Sequence, residues 1–189
     1  MDYASLDLKD LLLTAEDAID LEAHGNREAG VLLPITGWPD DPKLIFTERN
    51  ADLKKHAGEI SFPGGMSEEA DPDLTWTALR ETHEEVSISP DRVEIQGALA
   101  PVGTFVTSFR IQPFVGLVSG DQSLVANPSE VAAILHFGID ELVDAYAMRR
   151  LVRRGVPIRT PTFEMERVLI WGATARILTD FLTRIKAFK

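Results

Sequence analysis

The chain has 189 residues, 44% of them hydrophobic and 26% charged, which suits one globular domain with a sizeable core. It contains no cysteine, which excludes disulfides and thiolate metal sites and leaves oxygen or imidazole donors, the partners of hard ions such as magnesium or manganese. A net charge of −11 disfavours nucleic acid as a partner. No apolar run approaches the roughly 18 residues of a membrane span, and "MDYASLDLKD" lacks the pattern of a secretory signal, so no membrane contact and a cytoplasmic location are expected.

In chain order, Leu8, Leu11, Leu12, Ala15 and Ile19 recur at helical spacing, which predicts an amphipathic helix over about residues 6–22. "AGVLLPI" (29–35) and "KLIFT" (43–47), separated by the turn-rich "TGWPDDP", read as paired strands. After a polar loop and "FPGG" (62–65), helical periodicity runs from about Leu74 to Val86 and stops at "SISPD". Strands are predicted at about 93–100, 111–118 and 131–137, a short helix near 139–147, a last strand at 163–171 and a closing helix at about 172–185. Strands mixed with a few helices, without steady alternation, indicate an α/β (α+β) fold with a mixed sheet covered on both faces. No repeat or linker divides residues 1–189.

The stretch "RETHEEV" (80–86) carries the chemistry. On a helix with Glu81 at zero, Glu85 lies at about 40° and Glu84 at about −60°. Trp76, Leu79 and Val86 fall at about 220°, 160° and 140°, which makes the opposite face apolar. Each like-charge pair among these glutamates costs an isolated helix roughly 0.2–0.5 kcal/mol, which an Arg80–Glu84 attraction offsets in part. A solvated acidic face is the plain reading of such a triplet; the preceding Pro-Gly-Gly turn, where backbone can approach a ligand closely, points instead to a metal site.

"FPGGMSEEADPDLTWTALRETHEEV" resembles the Nudix box: Gly, five residues, Glu, seven residues, Arg-Glu-apolar-x-Glu-Glu-x-Gly-apolar. Gly65, Arg80, Glu81, Glu84 and Glu85 match its fixed positions, and the motif runs over about residues 64–88. Asp71 stands at the first Glu, the Gly65-to-Arg80 interval is one residue longer, Thr82 replaces an apolar residue, and Ser87 replaces the closing Gly. Ser can end the helix provided the turn does not require a left-handed residue.

The longer interval is similar to the coenzyme A pyrophosphatase branch, whose upstream pattern "LIFTERNADLKKHAGEISFPGG" follows through Thr47, Arg49, Gly58, Phe62, Pro63, Gly64 and Gly65. Asn50 replaces a Ser there, and Lys54 replaces an Arg, keeping charge without the bidentate fork. "FVTSFRIQPFVGLV", "NPSEV" and "IWGATARIL" also resemble later segments of that branch.

The resemblance implies a single Nudix-type α/β/α sandwich with a central mixed sheet. It also implies hydrolysis of a diphosphate joining a nucleoside to a second group, assisted by magnesium or manganese. Glu81 and Glu85 would be metal ligands, Glu84 a ligand of a further ion or a residue acting through water, and the Gly64 or Gly65 carbonyl a completing donor, while Arg80 orients the glutamates. Glu130 is the candidate general base, with a solvated turn glutamate as the plain alternative; Glu59 and Glu68 are weaker candidates, and a metal-bound hydroxide would need no base.

Arg49, Lys54, Lys55 and His56 form a basic cluster suited to an adenosine phosphate. Arg49, Lys54, His56, Phe62 and Gly64 are accordingly the expected substrate-binding residues, and Phe105, Phe109 and Trp171 serve either as pocket or as core. The partner expected is a small nucleotide such as coenzyme A or its derivatives, cleaved to adenosine 3',5'-bisphosphate and a 4'-phosphopantetheine species. Another Nudix substrate (a nucleotide sugar, a dinucleotide or an oxidised nucleotide) is the alternative, and a noncatalytic nucleotide-binding module, which should have lost these glutamates, is a more distant one. Self-association into a homodimer is left open.

Overall fold

The computed structural model describes residues 3–50, 58–104, 108–120, 123–153 and 155–188. After a 3-10 turn at Tyr3–Ser5, its elements are α1 (Leu8–Leu11), α2 (Ala15–Ile19), β1 (Arg27–Thr36), β2 (Lys43–Arg49), β3 (Ile60–Ser61), β4 (Gly64–Met66) and α3 (Leu74–Val86). A second 3-10 turn at Pro90–Arg92 precedes β5 (Val93–Ala98), β6 (Val102–Gly103), β7 (Phe109–Val118), β8 (Val131–Gly138), α4 (Ile139–Ala145), β9 (Tyr146–Arg153), β10 (Val156–Met165), β11 (Val168–Ile170) and α5 (Gly172–Arg184).

The main sheet has the order β3–β2–β1–β7–β5, with β4 beside β1, β6 beside β7 and β8 beside β2. β1 runs parallel to β7 from Arg27↔Phe109 to Ile35↔Leu117, whereas β2–β8, β5–β7 and β1–β4 are antiparallel; the sheet is mixed, as expected. β9, β10 and β11 form a separate antiparallel sheet.

Period-two alternation sends successive side chains of the central strands to opposite faces. Leu33, Ile35, Leu44, Phe46 and Val115 pack with α5 through Ile177, Leu178, Phe181 and Leu182. Leu32 and Phe114 pack on the other face with Ala18 of α2 and with Leu74 and Ala78 of α3. Helices therefore cover both faces, and the α/β/α expectation holds.

Several expectations are corrected. The N-terminal segment is two short helices: Asp7 caps α1, Thr14 caps α2 by accepting from the Asp17 N–H, and between them Leu13 bridges Ala98 at the end of β5. That backbone pairing outweighs the helical spacing of the leucines. β1 and β2 pair antiparallel as expected, but only at Ile35↔Leu44 and Thr36↔Lys43, because β4 takes the same edge of β1 at Ala29, Gly30 and Val31.

The predicted strand at 163–171 is the end of β10, a turn at Glu166 and Arg167, and β11. The β9–β10 hairpin was not expected at all. Ser87 ends α3 although the turn does take the left-handed conformation (φ 63°, ψ 24°), and its hydroxyl donates to the Val125 carbonyl at 3.1 Å.

Candidate active site

α3 begins where the Asp73 side chain accepts from the Trp76 N–H at 2.8 Å, satisfying one of the four orphan donors of a helix start. Its buried positions are Leu74, Thr77, Ala78, Thr82, Glu85 and Val86. The expected division of faces is thus corrected: Trp76 is 45% exposed, and Glu85 lies inside. Thr82 is accommodated without an apolar side chain because its hydroxyl donates back to the Ala78 carbonyl at 2.6 Å.

Two glycine contacts set the helix over the sheet. A Cβ at Gly30 of β1 would lie 3.0 Å from the Ala78 nitrogen and 3.2 Å from the Thr77 Cβ, so glycine there allows α3 to approach the strand closely. Directly across the β1–β4 ladder, Gly65 pairs with Gly30, and a Cβ on Gly65 would come within 2.5 and 2.6 Å of the Glu81 carboxylate oxygens. The Glu81 head therefore occupies the space that the glycine leaves.

Arg80 organises the acidic face. Its Nε and Nη2 donate to the two oxygens of Asp71, each at 3.0 Å. Nη2 also donates to the Met66 carbonyl at 3.1 Å, while Nη1 donates to Glu81 at 2.9 Å and to Glu84 at 3.3 Å. Bidentate, charge-assisted bonding of this kind fixes orientation as well as charge. The Arg80 bonds hold the Asp71 carboxyl well below the usual carboxylate range and push the Arg80 guanidinium upward. Asp71 is the organising residue that sequence reasoning left without a role; its place at the first acidic position of the motif was the available signal.

Glu85 differs from its neighbours. Its side chain is 3% exposed, with Arg49 Nη1 at 3.7 Å and the Gly64 N–H donating to it at 3.3 Å. Burial pushes its carboxyl up to about 7, opposed by Arg49 and Gly64 and reinforced by the charges of Glu81 and Glu130. Burial also raises Glu81, against the pull of Arg80. Glu84 stands at the solvent edge with its side chain 52% exposed.

Glu130 reaches this region through its loop. The Asn50 N–H donates to the Glu130 carbonyl at 2.8 Å, the Asn50 Nδ2 to the Pro128 carbonyl at 2.9 Å, and the Asn127 N–H to the Glu85 carbonyl at 2.9 Å. The ends of β2, of α3 and of the 127–130 loop are thereby tied together.

Phe62 lies elsewhere: it is buried in the core and stacked on Phe46 at 4.5 Å. Phe109 packs under the Arg27 guanidinium at 4.4 Å, and Trp171 is the residue preceding α5. Lys54, Lys55, His56 and Phe105 lie outside the described residues. A surface depression lined by Ile19 to His24 and Arg110 shares no residue with this site.

An acidic helix seated on a glycine turn over a mixed sheet is the arrangement that the sequence motif predicts. The NUDIX domain model matches residues 28–155. Over 98% of each chain, this protein is 36% identical to "Uncharacterized Nudix hydrolase NudL" of Escherichia fergusonii. Its fold is similar to that of the MutT protein from Methanosarcina mazei Go1, with a TM-score of 0.54, 14% identity, and coverage of 89% of this chain and 96% of that one. It is also similar to the NUDIX domain of Shewanella oneidensis NrtR, solved with ADP ribose, with a TM-score of 0.51, 18% identity, and coverage of 63% and 77%. The chain belongs to the Nudix family and is a Nudix hydrolase.

Nudix enzymes use divalent metal ions, and the donor chemistry here fits such an ion: Glu81, Glu84 and Glu85 offer only oxygen, and buried Glu85 has Arg49 at 3.7 Å as its cationic neighbour. Among the described residues no three carboxylate or imidazole groups already converge on one coordinating point; the heads of Glu81 and Glu84 both accept from Arg80 Nη1. A bound ion would polarise a phosphoryl oxygen and lower the pKa of a water.

Proposed function

We propose that the protein hydrolyses the diphosphate of coenzyme A or an acyl derivative, giving adenosine 3',5'-bisphosphate and the corresponding 4'-phosphopantetheine. The observation that carries this reading is the convergence on Glu85. Arg49 and Gly64, near the two ends of the stretch that resembles the coenzyme A branch, both contact its carboxylate, at 3.7 and 3.3 Å. These contacts support reading the substrate-type stretch and the acidic helix as one site.

In this reading Glu81 and Glu85 hold magnesium or manganese, with Glu84 as a further or water-mediated ligand and the Gly65 carbonyl as a completing donor. Arg80 keeps the Glu81 and Glu84 heads on the substrate side through its anchorage on Asp71. Arg49, with Lys54 and His56 shortly after it in the sequence, receives phosphate charge. Glu130 accepts a proton from the attacking water, its loop fixed by Asn50 and Asn127.

A second reading, hydrolysis of another nucleoside diphosphate derivative, draws support from Asn50. The Asn50 side chain is committed to the Pro128 carbonyl, and it stands where the coenzyme A pattern has Ser. ADP ribose, the ligand in the NrtR structure, is the natural comparison substrate. The test is kcat/KM for coenzyme A, an acyl derivative, dephosphorylated coenzyme A, NADH and ADP ribose, each with magnesium and with manganese. The first reading expects coenzyme A or its acyl derivative to be preferred; preference for ADP ribose or NADH establishes the second.

A further inference from the structure

The β9–β10 hairpin is unlike the rest of the molecule. Arginines stand at 149, 150, 153, 154 and 159, no carboxylate occurs from 145 to 163, and the chain as a whole carries −11. The base of the hairpin is anchored: Phe163 is fully buried, and Tyr146 packs on Phe163 and on Phe188. Beyond that base, β9 pairs with β10 alone, and β11 covers β10 only from Phe163 to Met165. Among the described residues, the outer part of the hairpin is a two-stranded ribbon with both edges open, a form that is marginal in water without a partner.

Its side chains point the same way. Register places Met148 opposite Pro161, Arg150 opposite Arg159, and Val152 opposite Pro157 on one face. Met148 is 43% exposed and Val152 74%. Like charges directly opposite each other destabilise a strand pair, yet Arg150 and Arg159 are directly opposed with no ion pair to either among the described residues. Arg149, by contrast, pairs with Glu164. The ribbon's basic residues are all Arg, with Met and Pro interleaved and no Lys, and enrichment in Arg and Met with depletion of Lys is the composition of a protein interface.

We infer that the Arg150–Arg159 face of this hairpin docks on the acidic surface of a second copy of this chain. Charge decides the partner: with the hairpin's arginines set apart, the remainder of the chain is more acidic than −11, so every copy carries the complement of its neighbour's ribbon. A ribbon-to-ribbon contact would oppose arginines. The symmetric pair instead sets each ribbon against the body of the other molecule, burying Met148 and Val152 and supplying carboxylates to Arg150 and Arg159.

The test is sedimentation velocity of the full chain over a concentration series at low and at high salt, repeated for Arg150→Glu/Arg159→Glu and for the milder Arg150→Ser/Arg159→Ser. Circular dichroism and substrate turnover serve as controls for folding. The inference expects a reversible dimer that weakens as salt rises, with association reduced about tenfold or more by charge reversal and less by Ser, while secondary structure and turnover per chain persist. A monomer under all low-salt conditions overturns it, as does a dimer indifferent to both variants. Salt-sensitive binding of the hairpin to anionic vesicles or to heparin, without self-association, overturns it in favour of a membrane or a polyanion.

Discussion

Asp71, in the loop that enters α3, grips Arg80 of that helix, nine residues on, through both carboxylate oxygens at 3.0 Å each. The same carboxylate accepts from the Thr77 hydroxyl at 2.9 Å and the Glu68 N–H at 3.0 Å, and its side chain is 2% exposed. Arg80 is thereby pinned on one side and presents Nη1 to Glu81 and Glu84 on the other.

Breaking this pair should cost stability as well as geometry. Asp71→Asn is expected to destabilise the fold by about 2–3 kcal/mol at neutral pH, because it leaves a mostly buried guanidinium short of charge. The Asp71 carboxyl is depressed in the folded state, so its contribution is fully present above the unfolded value of about 4 and is lost as pH falls below it. Denaturant unfolding of both proteins from neutral to acid pH should show a constant gap that closes under acid conditions; a gap that widens with acid contradicts the assignment.

Glu85→Gln should separate activity from stability. Metal-dependent turnover is expected to fall about 100-fold or more. The metal-free protein should melt no lower than the parent, since a buried carboxylate with incomplete charge compensation is replaced by a neutral amide. Thermal melts with and without magnesium check this: the parent should gain stability with metal and the variant should not.

The glycines make opposite predictions. Gly65→Ala puts a methyl group into the space of the Glu81 carboxylate, so turnover should fall while the melting temperature changes little. Gly30→Ala meets the backbone of α3 at Leu74 and Ala78, and is expected to cost about 1–3 kcal/mol, or roughly 2–4 °C per kcal/mol in a domain of this size.

Asn50→Ala removes the side-chain tie to Pro128. Amide exchange in residues 127–131 should accelerate, and kcat should drop more than KM rises if the Glu130 loop positions a proton acceptor. Asn50→Ser, the residue of the related pattern, should restore part of the loss; equal turnover in all three proteins removes the loop from the mechanism.

Legibility in the sequence followed the locality of the interactions. The bounds of α3 were readable because Asp73 at its start and Ser87 at its end lie within the helix's own sequence. The break between α1 and α2 was not, because it depends on Leu13 meeting Ala98, far along the chain. Trp76 projected onto the apolar face of the wheel yet is exposed, while Glu85 projected onto the acidic face yet is buried. A helical wheel carries no record of the β4 turn that covers one flank. The β9–β10 hairpin escaped notice because Pro157, Pro161 and the arginines obscure strand alternation; proline is tolerated there because both strands have open edges. The Arg80–Glu84 attraction was visible from spacing alone, whereas the stronger Arg80–Asp71 pair needed the loop path.

The most direct test of the central claim is product analysis of coenzyme A turnover with magnesium or manganese in ¹⁸O-labelled water, by mass spectrometry. The proposed reaction predicts adenosine 3',5'-bisphosphate and 4'-phosphopantetheine in equal amounts, with one heavy oxygen on a single phosphate of the pair, and essentially no product from Glu81→Gln or Glu85→Gln. Coenzyme A and its acyl derivative both left intact under all these conditions, or equal turnover by the glutamate variants, would contradict it.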